Sequence, residues 1–246
     1  MNRLPMRTKF YGMAIVFGIS LAIIYAGPIS AAPSANDVKS DEGNSREWNL
    51  SKDIASTGNQ LSFNQGARDV WYFMESHALV HNPLIYRFIS EFNAPGRPAT
   101  SIVIPDGFSC WQNPSSIVPD VCFNFNNKPV TLENFDVPPG TVDMHPGTDG
   151  FTIVAWKSPV NGVVAIKGAF RDLDANCGNG VIWSIDKGGE VLQSGDLANG
   201  TMATFSLADV RVSNSDVLYF IVDPNGDYRC DSTSLDLTIT QGGKYH

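Results

Sequence analysis

Six short apolar runs, rich in β-branched and aromatic residues, occupy the second half of the chain. Segments rich in Gly, Asn, Asp and Pro separate them, such as residues 176–180 and 224–226. Short runs with turn-forming residues between them are typical of strands joined by hairpins. The pattern predicts an all-β fold, an antiparallel β-sandwich or jelly roll, with strands at residues 151–156, 163–170, 181–185, 202–207, 217–222 and 235–239.

The first half of the chain is less regular. Residues 75–92 could form an amphipathic helix, but Pro83 lies in the middle, where its ring and its missing N–H disfavour a long helix. We therefore expect mainly strands and loops over residues 70–92. Apolar residues recur from Trp48 onward with no gap long enough for a linker, so residues 48–246 are assigned to a single β-sandwich domain.

The chain begins like that of an exported protein. Three basic residues (Arg3, Arg7 and Lys9) precede an apolar run over residues 13–26, and small residues follow it. This run is shorter than the roughly 20 residues of a spanning helix. It predicts a signal peptide over residues 1–31, a disordered leader over residues 32–47, no membrane span after cleavage, and a secreted or periplasmic product. A retained membrane anchor is the alternative.

The predicted mature chain is strongly acidic. The full chain has a net charge of −8, and residues 1–31 carry three basic and no acidic residues, so −8 minus 3 leaves −11. An acidic protein has no electrostatic attraction to phosphate backbones, which excludes nucleic acid as an expected partner. An acidic surface does suit metal cations.

The chain contains four cysteines, all in the predicted exported part: Cys110, Cys122, Cys177 and Cys230. An even number in an oxidising compartment predicts two disulfides, for which three connectivities are possible. We choose Cys110–Cys122, which closes a short loop, and Cys177–Cys230. Unpaired buried thiols are the alternative.

Four segments carry a resemblance to a known group of proteins: residues 143–147 (DMHPG), 154–159 (VAWKSP), 223–228 (DPNGDY) and 231–236 (DSTSLD). In this order they resemble a family of uncharacterised bacterial exported proteins found in planctomycetes and in sets with PEP-CTERM sorting tails. The resemblance implies a β-sandwich akin to carbohydrate-binding jelly rolls and implies no established activity. The chain carries no such tail at residues 241–246, so a soluble product is expected.

Two acidic loops precede the third and fourth of these cysteines along the chain. Each carries oxygen-bearing side chains at alternate positions, the arrangement by which a loop curls around Ca²⁺. A Cys177–Cys230 bond would bring the loops together, and their like charges would then favour a cation between them. The hypothesis is one Ca²⁺ held by a subset of Asp172, Asp174, Asn176, Asn225, Asp227 and Asp231. Ordinary turn residues that bond their own backbone are the alternative.

Several aromatic residues could stack on the apolar face of a sugar ring. We select Trp111, which lies in a loop rich in Pro, Ser and Asn, together with Trp71 and Tyr228, and add His145 as a polar ligand-binding residue. The sequence contains no G-x-S-x-G elbow, and all four cysteines are expected to be oxidised, so we assign no catalytic residue.

These patterns favour an exported, non-catalytic module that binds carbohydrate or another cell-surface ligand and is stabilised by calcium. One alternative is a hydrolase of an extracellular polysaccharide or other polymer, whose paired carboxylates lie in loops where sequence distance does not reveal their spacing. Another alternative is a structural or adhesive surface protein that binds a protein partner.

Overall fold

Two antiparallel sheets face each other across one core in the computed structural model, which describes residues 45–57, 65, 68–93, 104–113, 117–132 and 134–242. These residues belong to a unit that spans Glu42–His246. The predicted all-β sandwich is therefore confirmed. The predicted signal peptide and most of the predicted leader lie outside the described residues, whereas Arg46 and Glu47 at the end of that leader pair with the last strand.

The strands are numbered in chain order. They are β1 (Arg46–Asn49), β2 (Trp71–Glu75), β3 (Arg87–Phe88), β4 (Glu91–Asn93), β5 (Phe108–Asn113), β6 (Ile117–Asn124), β7 (Val130–Leu132), β8 (Phe135–Val137), β9 (Val142–His145), β10 (Thr152–Lys157), β11 (Gly162–Asp172), β12 (Val181–Lys187), β13 (Glu190–Leu197), β14 (Met202–Val212), β15 (Val217–Asp223) and β16 (Thr233–Gln241). The six runs predicted in the second half correspond to β10, β11, β12, β14, β15 and β16.

Sheet A has eight strands in the order β14, β11, β16, β9, β6, β5 and β4, with β1 also pairing with β16. Sheet B has six strands in the order β13, β12, β15, β10, β2 and β3. The hairpin β7–β8 forms a separate two-stranded sheet. Strands that are neighbours in space are often distant in sequence, so each sheet brings together residues from the whole described chain.

Aromatic and β-branched side chains from both sheets fill the space between them. Phe170 of sheet A stacks on Trp183 of sheet B with ring centroids 5.4 Å apart, and Trp48 meets Trp156 edge to face at 5.2 Å. Alternate residues of each strand point into this core, which is the arrangement that period-2 sequence alternation predicts.

The outer face of sheet A is partly covered by the hairpin β7–β8. Val130 and Val137 of this hairpin pack with Phe108 and with the disulfide Cys110–Cys122, which joins directly paired positions of β5 and β6. The hairpin therefore removes from solvent a sheet face that strand alternation alone would leave exposed.

The outer face of sheet B is partly covered by residues 76–86, here called the strap. The strap has one short 3-10 turn (Pro83–Ile85), so the expectation of strands and loops in place of a long helix is confirmed over residues 70–92. The imidazole Nδ1 of His81 lies 2.6 Å from Oδ2 of Asp186, which is completely buried on β12. This contact connects the strap to the sheet.

The described residues also contain one short α-helix, Leu50–Ala55, which the sequence analysis did not predict. The side chain of Asn49 accepts a hydrogen bond from the backbone N–H of Lys52 and caps the first turn. Among the described residues, no helix has both the length and the apolar composition needed to cross a bilayer.

Candidate functional site

Two loops meet at one end of the sandwich. Residues 173–180 connect β11 to β12, and residues 224–232 connect β15 to β16. The disulfide Cys177–Cys230 joins the loops, with Cα atoms 5.5 Å apart, so both predicted disulfides are confirmed. Backbone and side-chain hydrogen bonds add to this link: Leu173 N–H donates to Ser232 O (2.8 Å) and Asn179 Nδ2 donates to Asn225 O (2.8 Å).

The carboxylate of Asp231 is buried where these loops meet. The residue is 1% exposed, and neither carboxylate oxygen has a hydrogen-bond partner within the described part of the chain. It lines a small, tight pocket together with Asp172, Gly180, Val181, Leu197, Cys230 and Thr233. Burying an ionised carboxylate without partners has a large desolvation cost. Protonation of Asp231, or a cation bound to it, would remove this cost.

Burial raises the pKa of Asp231 to about 8, and the nearby charges of Asp227, Asp172 and Asp223 contribute to the shift. Each of these charges disfavours the ionised form. The disulfide and the hydrogen bonds between the two acidic loops show that the loops converge here.

One glycine allows the loops to approach so closely. Gly178 has a φ angle of +81°, which L side chains rarely adopt. A Cβ on Gly178 would overlap the carbonyl oxygen of Arg229 and would lie 3.4 Å from Oδ1 of Asp231. One carbonyl oxygen and one carboxylate oxygen therefore face the same point beside the disulfide.

The six predicted calcium ligands do not all face this pocket. Asp172 lines it, although its two oxygens also accept the backbone N–H groups of Asp174 and Gly200. Asp174 and Asn176 bond each other at 2.8 Å. The Asp227 carboxylate is engaged by the guanidinium of Arg229.

Asn225, the remaining predicted ligand, is exposed, and its backbone N–H donates to Asp223. Asp231 and Asp172 are therefore the predicted ligands that share the pocket. Within the described ranges, no group of three or more His, Cys, Asp or Glu side chains is arranged to hold a metal ion. A calcium ion here would thus depend on backbone carbonyl oxygens, which Ca²⁺ accepts readily.

Two of the four predicted ligand-binding residues lie together at the end of the sandwich where the loops meet. The rings of Tyr228 and His145 meet edge to face with centroids 6.3 Å apart, and both residues are half-buried. The His145 Nδ1–H donates to Pro146 O at 2.9 Å, which fixes the imidazole orientation. Each residue thus presents an oriented, partly exposed ring at the loop end.

The two predicted tryptophans are placed differently. Trp71 is completely buried, and its indole N–H donates to Oδ2 of Asp53 at 2.9 Å. Trp111 is 6% exposed and packs against Phe92 in the main core, with ring centroids 5.4 Å apart. Neither ring offers an open face in this structure, because both side chains point between the sheets.

Asp120 and Asp143, which are not among the predicted site residues, complete the polar surroundings. They lie on the adjacent strands β6 and β9, with His145 directly opposite Asp120. They are 8% and 2% exposed, and Oδ1 of Asp143 has no hydrogen-bond partner among the described residues.

The two buried carboxyl groups influence each other. Burial raises the pKa of Asp143 to about 7, with Asp174 adding to the shift and hydrogen bonds from Ser232 and Thr233 opposing it. Burial and the charge of Asp143 also raise the pKa of Asp120. Strand alternation gives the face of each residue within its own strand, but no local sequence signal gives the pairing of β6 with β9 that makes them neighbours.

The fold is a β-sandwich whose two disulfide-bonded, acidic loops meet at one end. No family model and no curated protein matches the chain. Similar solved structures include the CBM36-1 domain of a multidomain xylanase from the hindgut metagenome of Trinervitermes trinervoides, with 14% identity and a TM-score of 0.32 over 49% of this chain and 90% of that one. CBM51 from Clostridium perfringens GH95, in complex with methyl-galactose, shares 12% identity, with a TM-score of 0.34 over 46% and 79%. A carbohydrate-binding module CBM36 in complex with calcium and xylotriose shares 10%, with a TM-score of 0.30 over 47% and 90%.

Proposed function

We propose that the protein is an exported, non-catalytic module that binds carbohydrate at the loop end of the sandwich and is stabilised there by one Ca²⁺ ion. The observation that carries the proposal is the pair of half-buried rings, Tyr228 and His145, held beside a buried polar cluster by disulfide-bonded loops. Loops positioned by a rigid scaffold are the usual location of binding residues.

The residues at the loop end match what a sugar requires. A sugar ring has an apolar face that stacks on an aromatic ring and a rim of hydroxyl groups that needs hydrogen-bond partners. Tyr228 supplies the aromatic ring, and the imidazole of His145 supplies a polar group on the neighbouring strand. The exposed side chain of Asn225 offers a further amide donor and acceptor on the loop that carries Tyr228.

A calcium ion would explain the unpartnered carboxylate of Asp231. Asp231 and Asp172 line the same pocket, and the carbonyl oxygen of Arg229 and Oδ1 of Asp231 both lie near the position that a Cβ on Gly178 would occupy. Carboxylate and carbonyl oxygens are the ligands that Ca²⁺ prefers. Because Asp231 is 1% exposed, the ion would be structural and would fix the two loops relative to each other.

Burial of the neighbouring carboxyl groups supports binding without hydrolysis. Asp120 and Asp143 are the adjacent pair that could serve as acid and base, yet they are 8% and 2% exposed. A polymer could not reach a position between them without displacing the covering residues. The two disulfides support export, because such bonds persist in oxidising compartments.

The decisive experiment is a binding titration with methyl-galactose, xylotriose and a panel of plant and bacterial polysaccharides, in the presence of calcium. We expect Tyr228→Ala to weaken the affinity of a bound sugar about tenfold, the loss that corresponds to an aromatic contact worth about 1.4 kcal/mol. Tyr72→Ala is the matched control, because Tyr72 is also half-buried but stacks on Phe88 on sheet B. Equal affinities of the two variants, or no sugar bound by the natural protein, would overturn the proposal.

A further inference from the structure

We infer that this site selects neutral glycans and rejects polymers that carry uronate or sulfate groups. The inference rests on the proposed carbohydrate function and specifies its ligand class. It comes from the charges that surround the rings of Tyr228 and His145, and from the way in which the one basic residue of the two loops is held.

Carboxylates dominate the electrostatics of the loop end. Asp172, Asp223 and Asp227 act on Asp231 from the two loops and the strand ends, and Asp174 acts on Asp143 across the neighbouring strands. Residues 173–180 and 224–232 contain a single basic residue, Arg229. An anionic ligand approaching Tyr228 would therefore approach loops in which negative charges outnumber positive ones, a repulsion that physiological salt screens only beyond about 8 Å.

Arg229 offsets only the charge of Asp227 and leaves the other carboxylates without a basic partner on these loops. Its Nε donates to Oδ1 of Asp227 at 2.9 Å, and its Nη2 donates to Oδ2 of the same carboxylate at 2.7 Å. This two-point pairing occupies the planar edge of the guanidinium that would otherwise bind a uronate or sulfate group. The proposed calcium ion is also out of reach of a ligand carboxylate, because Asp231 is buried.

Hydroxyl groups of a neutral sugar suit the same surroundings. A hydroxyl can donate to a carboxylate or amide oxygen and can accept from an amide or imidazole N–H. The exposed side chain of Asn225 and the ring of His145 provide such groups next to Tyr228. Selection then follows from charge repulsion against acidic polymers and from hydrogen bonding that does not need a charge on the ligand.

The test compares binding of arabinoxylan, β-1,4-galactan and mixed-linkage β-glucan with binding of polygalacturonate and alginate, in calcium, at low and high salt. We expect the natural protein to bind at least one neutral polymer and to bind the acidic polymers at least about tenfold more weakly, with the difference shrinking as salt rises.

Two variants isolate the role of Arg229. Asp227→Asn releases the guanidinium and should increase affinity for polygalacturonate, whereas Asp223→Asn removes the same charge from the neighbouring position without releasing a cation. Equal gains by the two variants would contradict the assigned role of the pair. Preferential binding of the acidic polymers by the natural protein would overturn the inference and leave the carbohydrate function intact. Failure to bind any polymer or oligosaccharide would overturn the carbohydrate function, and this inference with it.

Discussion

At the scale of single residues, the buried carboxylate of Asp231 is the feature on which the calcium proposal depends. Without a cation, its ionised form has no hydrogen-bond partner among the described residues and lies close to other acids. With a cation in the pocket, the same oxygens would become ligands. Ionised Asp231 should therefore destabilise the metal-free protein and stabilise the calcium-bound protein. A single substitution distinguishes the two effects.

We predict that Asp231→Asn stabilises the chelator-treated protein by about 1–3 kcal/mol at pH 9, because it removes a buried, unpaired charge. The same substitution should abolish the rise in melting temperature that calcium gives the natural protein. Differential scanning calorimetry with calcium and with chelator measures both effects. Asp236→Asn, at an exposed position of the following strand, is the control and should change neither. A melting temperature of the natural protein that calcium leaves unchanged would eliminate the metal.

The glycine beside Asp231 gives a second test at the same scale. Gly178→Ala places a methyl group against the carbonyl of Arg229 and forces an L residue to φ +81°. Gly226→Ala is the matched control, since Gly226 has φ +88° with nothing within 4 Å of a Cβ. We expect the control to lose about 1–2 kcal/mol of unfolding free energy from the backbone alone. Gly178→Ala should lose at least about 1 kcal/mol more in urea titrations; equal losses would mean that the loops tolerate the overlap.

At the scale of elements, the disulfide between the loops should matter more than the one between adjacent strands. Cys177 and Cys230 are 53 residues apart, whereas Cys110 and Cys122 are 12 apart and already paired by the β5–β6 ladder. Loop-closure entropy gives about 4 kcal/mol for the longer loop and about 3 kcal/mol for the shorter one.

We therefore predict that Cys177→Ala/Cys230→Ala lowers the unfolding free energy more than Cys110→Ala/Cys122→Ala does. The first double variant should also weaken calcium and sugar binding, because it releases the two loops from each other. Chemical denaturation and binding titrations on both variants check the two parts. Calcium affinity that is unchanged by loss of the loop disulfide would place the ion elsewhere.

The strap on sheet B gives a prediction for an element that is remote from the loops. His81→Ala removes the imidazole that contacts Asp186 and leaves a completely buried carboxylate unpaired, so we expect a loss of about 3–5 kcal/mol. His77→Ala is the control, because His77 is exposed and lies 3.6 Å from Glu75; it should cost less than about 1 kcal/mol. Amide hydrogen exchange over residues 76–86 should rise with His81→Ala, and similar exchange in both variants would contradict the contact.

The sequence predicted the strands whose apolar runs are strong and missed those whose pattern is weak. Strand β13 (Glu190–Leu197) lies at an edge of sheet B and is largely polar, and its Gly195 is packed under the indole of Trp183, so local composition did not reveal it. The helix Leu50–Ala55 is too short to show a period. Pairing with β12, which no local pattern reports, decides strand β13.

The candidate site was predictable in the parts that adjoin the cysteines. The disulfide bond places the acidic loops together, and this could be read from the positions of Cys177 and Cys230. The same reasoning could not find Asp120 and Asp143, because they become neighbours through the pairing of β6 with β9. Nor could it show that Trp71 and Trp111 point inward, because the residue type alone does not tell on which face of a sheet an aromatic side chain lies.

At the scale of the whole molecule, several buried carboxyl groups act together on stability. The pKa of Asp143 is raised to about 7 and that of Asp231 to about 8, each from an ordinary value of 3.8, and the pKa of Asp120 is raised as well. In each case the folded state holds its proton more tightly than the unfolded state does. The stability that these protons confer is fully present below about pH 4 and is lost as the pH rises through the raised pKa values.

We therefore predict that, in chelator, the unfolding free energy falls between about pH 4 and pH 8 and then levels off above the pKa of Asp231. Calcium should restore stability increasingly toward the upper end of this range, because it competes with the proton for the same oxygens. Urea titrations across this range, with and without calcium, measure the two curves. Asp143→Asn should reduce the fall in unfolding free energy near pH 7 in chelator, and calcium should still stabilise this variant. Asp231→Asn should remove the stabilisation by calcium. A chelator curve that rises toward pH 8 would show that the carboxyl groups are ionised and stabilised in the folded protein, and that the buried cluster has partners of opposite charge.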